Sequence, residues 1–200
     1  MADFTVAYGP LKQHEGGWCN DKADRGGETY AGIARNFFPD WAGWKLVDKA
    51  KKHASFKQGA SKFSAYLATM DDLTALVLTW YRKEWWDRLG LEALPQELAN
   101  EIFEQAVNLG KGGAGKKVQT ICNAFNYDKK TGSALFPDLV IDGAIGPKTL
   151  NALATLLRRR AKEGELVHAL NCMQGAHYLE LAAKKASQRV FTTGWMTRTH

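Results

Sequence analysis

Nineteen positions near the N-terminus, Glu15 to Ile33, hold four acidic residues, five glycines and a threonine. They read Glu15-Gly16-Gly17-Trp18-Cys19-Asn20-Asp21 and then, two residues on, Asp24-Arg25-Gly26-Gly27-Glu28-Thr29-Tyr30-Ala31-Gly32-Ile33. A hydrophobic core needs no such mixture. Glycine pairs let the backbone turn sharply or approach a ligand closely, and a carboxylate just before such a turn sits where a helix ends and a cleft begins. Two carboxylates across a cleft are the minimal equipment for cutting a glycosidic bond, ~6.5–9.5 Å apart where an inverting enzyme must admit a water. Glu15 is the candidate acid. That role requires a raised pKa, and Trp18, three residues on, is a candidate apolar wall. The plain alternatives are a helix-terminal surface glutamate for Glu15 and a turn-stabilising aspartate for Asp24. Asn20 and Asp21 are polar turn formers that can also touch sugar, and Asp21 can replace Asp24 as the second carboxylate.

Other chemistries fit less well. His14-Glu15 suggests a zinc motif, but Trp18 stands where the second histidine belongs. No other His or Cys lies at ligand spacing, so neither a metal nor a cofactor is expected. Cys19, Cys122 and Cys172 are few, odd in number and free of Cys-x-x-Cys pairs, and read as reduced, packed thiols, a disulfide between two of them being the alternative. No nucleophile–base signature surrounds Cys19. Lys111-Gly112-Gly113-Ala114-Gly115-Lys116-Lys117 is glycine-rich and basic, yet Lys117 replaces the Ser or Thr of a phosphate-binding loop. It reads as a turn leading into a helix over 116–125.

The elements that would position these residues are mostly helical. Phe4, Ala7, Tyr8 and Leu11 predict a helix over 3–14, awkward only at Pro10. Residues 30–36 read as a short helix closed by Pro39. Asp71-Asp72 opens the clearest helix, with Leu73, Leu76, Val77, Trp80 and Tyr81 at helical spacing and Gly90 as its stop. Pro95 starts another, which Gly110 ends. Pro147 heads a helix to Arg160; Gly164 breaks it, and a last helix follows over 165–189. Of the tryptophans, Trp85 and Trp86 read as packing. Trp41 and Trp44, after Pro39, are the better candidates for exposure.

The first segment resembles the signature of glycoside hydrolase family 108, the N-acetylmuramidases with a lysozyme-like fold. Glu15, Asp24 and Thr29, with eight and four residues between them, are also similar in spacing to the Glu/Asp/Thr trio of phage-type lysozymes. Asp142-Gly143-Ala144-Ile145-Gly146-Pro147-Lys148-Thr149-Leu150 resembles the family's predicted peptidoglycan-binding region, although turn and helix-start duties explain its parts as well. Gly194-Trp195-Met196-Thr197-Arg198 resembles its terminal motif. Two positions depart from the pattern: Glu104 stands where Asp is expected, and Lys22 follows Asp21 where Pro is common. The resemblance implies a mostly α, lysozyme-like helical fold, with a catalytic half over 1–94 and a helical, peptidoglycan-binding-like half over 95–200 packed on it. It implies hydrolysis of the β-1,4 bond between N-acetylmuramic acid and N-acetylglucosamine. Glu15 would protonate the leaving oxygen, Asp24 or Thr29 would place the water, and Trp18, Asn20, Asp21 and Tyr30 would line the substrate.

Composition bounds these readings. Two hundred residues with 45% hydrophobic and 11% aromatic content support a real core. The formal charge of +6 suits any polyanion, including a wall bearing muramyl-peptide carboxylates. Lys49 to Lys52 and Arg158 to Arg160 are the densest basic clusters; neither is interleaved with aromatics, so nucleic acid is not the expected partner. The start of the chain has no secretory pattern and no stretch approaches the ~20 apolar residues of a membrane span. The expected partners are therefore peptidoglycan glycan strands, reached from the cytoplasm through a holin-like membrane pore or a secretion system. Three rival readings are a lytic transglycosylase, a non-catalytic wall-binding or secretion-accessory protein, and a basic nucleic-acid binder.

Overall fold

The opening helix α1 (Phe4–His14) buries Phe4, Ala7, Tyr8 and Leu11, the face predicted from their spacing, and accommodates Pro10 within it. The computed structural model describes residues 1–14, 16–21 and 25–199, the side chains of 12–14 excepted. Two compact units divide the chain: Gly9–Glu84, and Met1–Tyr8 together with Trp85–His200. Both are built chiefly from helices, as a mostly α, lysozyme-like fold requires.

In Gly9–Glu84 a small antiparallel sheet runs in the order β1 (Cys19–Asn20), β2 (Glu28–Tyr30), β3 (Ile33–Ala34). The short helix expected over 30–36 is therefore wrong. Ala31 and Gly32 both adopt left-handed backbone, φ 46° and 74°, and join β2 to β3 as a two-residue hairpin turn. Four helices follow: α2 (Gly43–Ala50), α3 (Ala54–Lys57), α4 (Ala60–Leu67) and α5 (Asp71–Tyr81). The core draws on Ile33, Val47, Phe63, Leu67, Leu73 and Val77, each worth about 1.5–3 kcal/mol of burial. From the end of α5 the Tyr81 hydroxyl donates to the Ala31 carbonyl at 3.0 Å, fastening the hairpin at its least comfortable residue.

A π-helical segment, Arg82–Asp87, continues from α5, and Gly90 (φ 65°) stops the run as expected. In the other unit, α6 (Gln96–Leu109) packs against α7 (Lys111–Ala124) and α9 (Glu163–Lys184). Phe4, Trp86 and Phe103 meet edge to face with 5.8 Å between centroids. The glycine-rich stretch at 111–117 is not a loop; it forms the first half of α7. Its glycines serve approach rather than turning. A Cβ on Gly115 would lie 2.0 Å from the Gly143 carbonyl oxygen, so no larger residue lets the 142–146 turn lie on the helix. After α8 (Pro147–Arg159), α9 starts before Glu165 and carries Gly164 in its first turn. Lys162 marks the break, its backbone N–H donating to Glu165 Oε2 at 2.9 Å. The helix ends at Lys184, and a 3₁₀ segment, Ala186–Phe191, and α10 (Thr192–Met196) complete the chain. Among the described residues, no helix is long and apolar enough to cross a membrane.

Candidate active site

Side chains alternate along β2: Glu28 and Tyr30 are buried, and Thr29 faces the other way, half-buried. The register Cys19↔Thr29 and Thr29↔Ala34 puts these three residues on the sheet's other face. Among the described residues, the Thr29 hydroxyl's hydrogen bond is a long one, 3.4 Å to the Gly27 carbonyl.

Beneath Thr29, Glu28 organises the local charges. Only 9% exposed, it accepts at Oε1 from Trp18 Nε1 (2.6 Å) and at Oε2 from Lys51 Nζ (3.0 Å). Arg35 Nε lies 2.9 Å from its Oε2 as an ion pair. Arg35 and Lys51 also hold Asp48, at 2.7 and 2.8 Å. The hydrogen bond from Arg35, more than that from Lys51, pulls the Asp48 carboxyl down to about 2. Two acids and two bases thus neutralise one another, and the Arg35 guanidinium also lies 4.4 Å above the Trp44 ring. A carboxylate engaged on both oxygens is a brace; it has no free position from which to protonate a leaving group.

The brace fixes the Gly17–Trp18 segment. The Trp18 ring packs edge-on against Phe56 and Phe63, and its backbone N–H donates to Ser64 Oγ at 2.7 Å. A Cβ on Gly17 would lie 2.4 Å from that same Oγ. The second glycine of Glu15-Gly16-Gly17 is thereby explained: the chain lies directly on α4 there.

Of the residues expected to act, Glu15 and Asp24 lie outside the described residues. Thr29 stands on the sheet as above, Asn20 and Asp21 are exposed, and Tyr30 is 7% exposed, its hydroxyl pKa raised by burial. Trp18 is tied into the Glu28 brace. Three expectations need correction. Trp44 is buried, donating to the Phe38 carbonyl at 2.8 Å, because it lies on the inner face of α2. Cys19 and Cys172 are exposed, and of the three cysteines only Cys122 is packed, its thiol pushed up to about 12 by burial. Glu28, Arg35, Asp48 and Lys51 were missed as a group. The available signal was slight: an acid adjoining Thr29, and a lysine inside a cluster that reads as solvated surface.

In the other unit a second polar cluster joins two of the sequence patches. Glu104 accepts from Gln174 Nε2 at 2.7 Å and from Asn108, and lies 3.5 Å from Arg198 of the terminal Gly194-Trp195-Met196-Thr197-Arg198. Trp195 stacks on Tyr178 at 5.3 Å. Glu104 at the departing position therefore holds the C-terminal segment to α6 and α9. One turn earlier, Glu101 is pushed up to about 7 by burial, partly offset by the Gln105 hydrogen bond, with Glu104 adding to the rise. A folded-state pKa above the unfolded value of 4.5 contributes stability that is complete below that value and is lost as pH rises through about 7. Thermal unfolding should therefore occur at higher temperature at pH 5 than at pH 8, and Glu101→Gln should shrink the difference. An equal or larger difference in that variant would remove Glu101 as its source.

The Asp142–Leu150 patch has its structural duties filled. Asp142 Oδ1 accepts from Gln119 Nε2 (2.7 Å) and from the Ala144 N–H (2.8 Å). Gln119 Oε1 accepts from the Gly143 N–H at 2.8 Å, and the buried Thr149 donates to the Ala144 carbonyl at 3.3 Å.

Residues 10–110, the stretch holding the glycine-rich acidic segment and its brace, match the glycosyl hydrolase 108 family. The chain belongs to that family. Residues 118–200 match a second family, described as a predicted peptidoglycan domain. Among curated proteins no significant match is found. Among solved structures, that described as Brucella abortus SagA aligns with a TM-score of 0.56 at 20% identity, covering 98% of this chain and 88% of that one. That likeness shows a shared fold. This glycosyl hydrolase 108 member thus pairs a glycoside-hydrolase region with a peptidoglycan domain, and its role lies in hydrolysing or binding peptidoglycan.

Proposed function

We propose that the protein is an N-acetylmuramidase, cleaving the β-1,4 bond between N-acetylmuramic acid and N-acetylglucosamine. Residues 1–94 supply the chemistry and 95–200 hold the wall. The carrying observation is that the family match encloses the acidic, glycine-rich segment whose Glu15, Asp24 and Thr29 have the spacing of a muramidase trio. Glu15 protonates the leaving oxygen. Asp24 activates water, and Thr29 orients it from a strand held by the Glu28 brace. Asn20 and Asp21, exposed beside that strand, contact sugar; Trp18 and Tyr30 shape the wall behind it. Access to the substrate comes through a holin-like pore or a secretion system.

The test is analysis of the products released from purified walls. Fragments ending in reducing N-acetylmuramic acid support hydrolysis, and anhydromuramyl ends would assign the protein to the transglycosylases instead. Asp24→Asn and Thr29→Ala should each slow release of reducing ends, by less than loss of the acid does, because they place water without supplying the proton. Undiminished rates in both variants would transfer the water-placing role to Asp21.

A further inference from the structure

The C-terminal region carries a concave surface that its family description does not assign. Segment 135–139 forms one wall, held by two asparagines at the end of α7. Asn123 exchanges hydrogen bonds with both the N–H and the carbonyl of Leu139, each at 2.8 Å. Asn126 accepts from the Leu135 and Phe136 N–H groups and donates to the Phe136 carbonyl. The other wall is the face of α8 that bears Lys148, Asn151, Ala152 and Thr155. Between them lies an open groove of about 810 Å³, with Phe136, Pro137, Leu139 and the 78%-exposed Val140 along it. This is the size of a ligand site, roughly 300–1,000 Å³.

Where α8 ends, the surface becomes strongly cationic. Lys129, Lys130, Arg158, Arg159 and Arg160 line a cup of about 400 Å³ with a single acid, Asp128. That acid is occupied in holding the cup together: Oδ2 accepts from Arg159 (2.7 Å) and Oδ1 from the Lys130 N–H (2.9 Å). Arg160 Nε is buried, with no hydrogen-bond partner among the described residues. Groove and cup adjoin, because Arg158 Nη2 reaches the groove-lining Thr155 Oγ1 at 3.4 Å. The favourable dipole at a helix C-terminus accounts for basic residues there. It does not account for Lys129 and Lys130, which arrive from a different loop.

We propose that this groove and cup bind the peptide stem of peptidoglycan, the backbone and small apolar side chains in the groove and the free carboxylates in the cup. The assignment rests on the peptidoglycan reading above. Two features favour a short peptide over a bare polyanion. The groove is lined by apolar, amide and hydroxyl side chains together with Lys148, Asp138 and Asp142, and those two carboxylates would repel a string of phosphates. From Pro147 to Arg158 the helix rises roughly 16 Å, the reach of about five extended residues. Arginine forks supply paired donors for the carboxylates at the end.

The decisive measurement is calorimetric titration of the full chain with a soluble disaccharide–tetrapeptide muropeptide and, separately, with the same disaccharide lacking its peptide. The wild type should bind the first and not detectably the second. Arg158→Gln combined with Arg160→Gln should weaken muropeptide binding at least tenfold, as losing charged hydrogen bonds does. Lys130→Gln, at an exposed position, repeats the test if the double variant fails to fold. Equal binding of the stem-free disaccharide, or full affinity in both variants, overturns the proposal. So does a cup that binds inorganic phosphate while ignoring the muropeptide. Because binding is read without hydrolysis, a protein that binds the stem but releases no reducing ends would refute the muramidase reading alone.

Discussion

Glu15→Gln should leave the fold intact and reduce the release of reducing ends from purified walls to about a hundredth of the wild-type rate or less. Glutamine keeps the shape and hydrogen-bonding reach of glutamate and loses only the transferable proton. General acid catalysis of a leaving alkoxide commonly contributes ~10²–10⁴-fold, and a sugar oxygen leaves poorly without it. Secondary structure and thermal midpoint should match wild type, since the change removes no packing volume. A folded variant that retains more than about a tenth of the rate would show that another group delivers the proton. The same substitution separates enzymatic lysis of cells from membrane damage by the basic surface alone: cells lyse in the second case whichever residue stands at 15.

The second large effect concerns stability. Glu28→Ala should destabilise the Gly9–Glu84 unit by about 3–5 kcal/mol, the usual cost of removing one partner from a buried ion-pair network. It leaves Arg35 and Lys51 facing each other with only the half-exposed Asp48 between them, and it strands the Trp18 indole N–H. Urea unfolding followed by tryptophan fluorescence reads this out directly, because Trp18 and Trp44 both touch the network. A loss below about 1 kcal/mol would show that the brace is replaceable by solvent. Activity should fall along with stability, since the strand carrying Thr29 is the one that Glu28 anchors.

The helical part of the fold was largely legible in the chain. The apolar spacing in α1, α5 and α6, the proline starts and the stops at Gly90 and Gly110 are local signals, and local signals survive folding. The misreadings share a cause, in that the deciding contact lies far away in sequence. Ala31-Gly32 lacks the Asn-Gly or Asp-Gly pair that announces a tight hairpin, and it is held by Tyr81, fifty residues on. The glycines of α7 look like a loop until the turn at Gly143 is laid on them. At the candidate site the chemical residues stood out by type, while their support did not. Glu28 resembles one more acid in a polar loop, and Lys51 one more surface lysine, until the fold places both beside Arg35.

The alternation along β2 also limits how this site can change over evolution or in engineering. Glu28 must point inward for the brace to exist, and Thr29 must then point outward. With a side-chain period of two, the pair has a fixed phase. The hairpin turn after it has two residues, so the phase is locked on that side to Ile33 and Ala34. Substitutions that preserve chain length can therefore tune the outward face freely. A single-residue insertion or deletion within 28–34 exchanges the two faces, burying the hydroxyl and turning the ion-pair anchor toward solvent. Diversity in this region should accumulate as replacements rather than as changes in length.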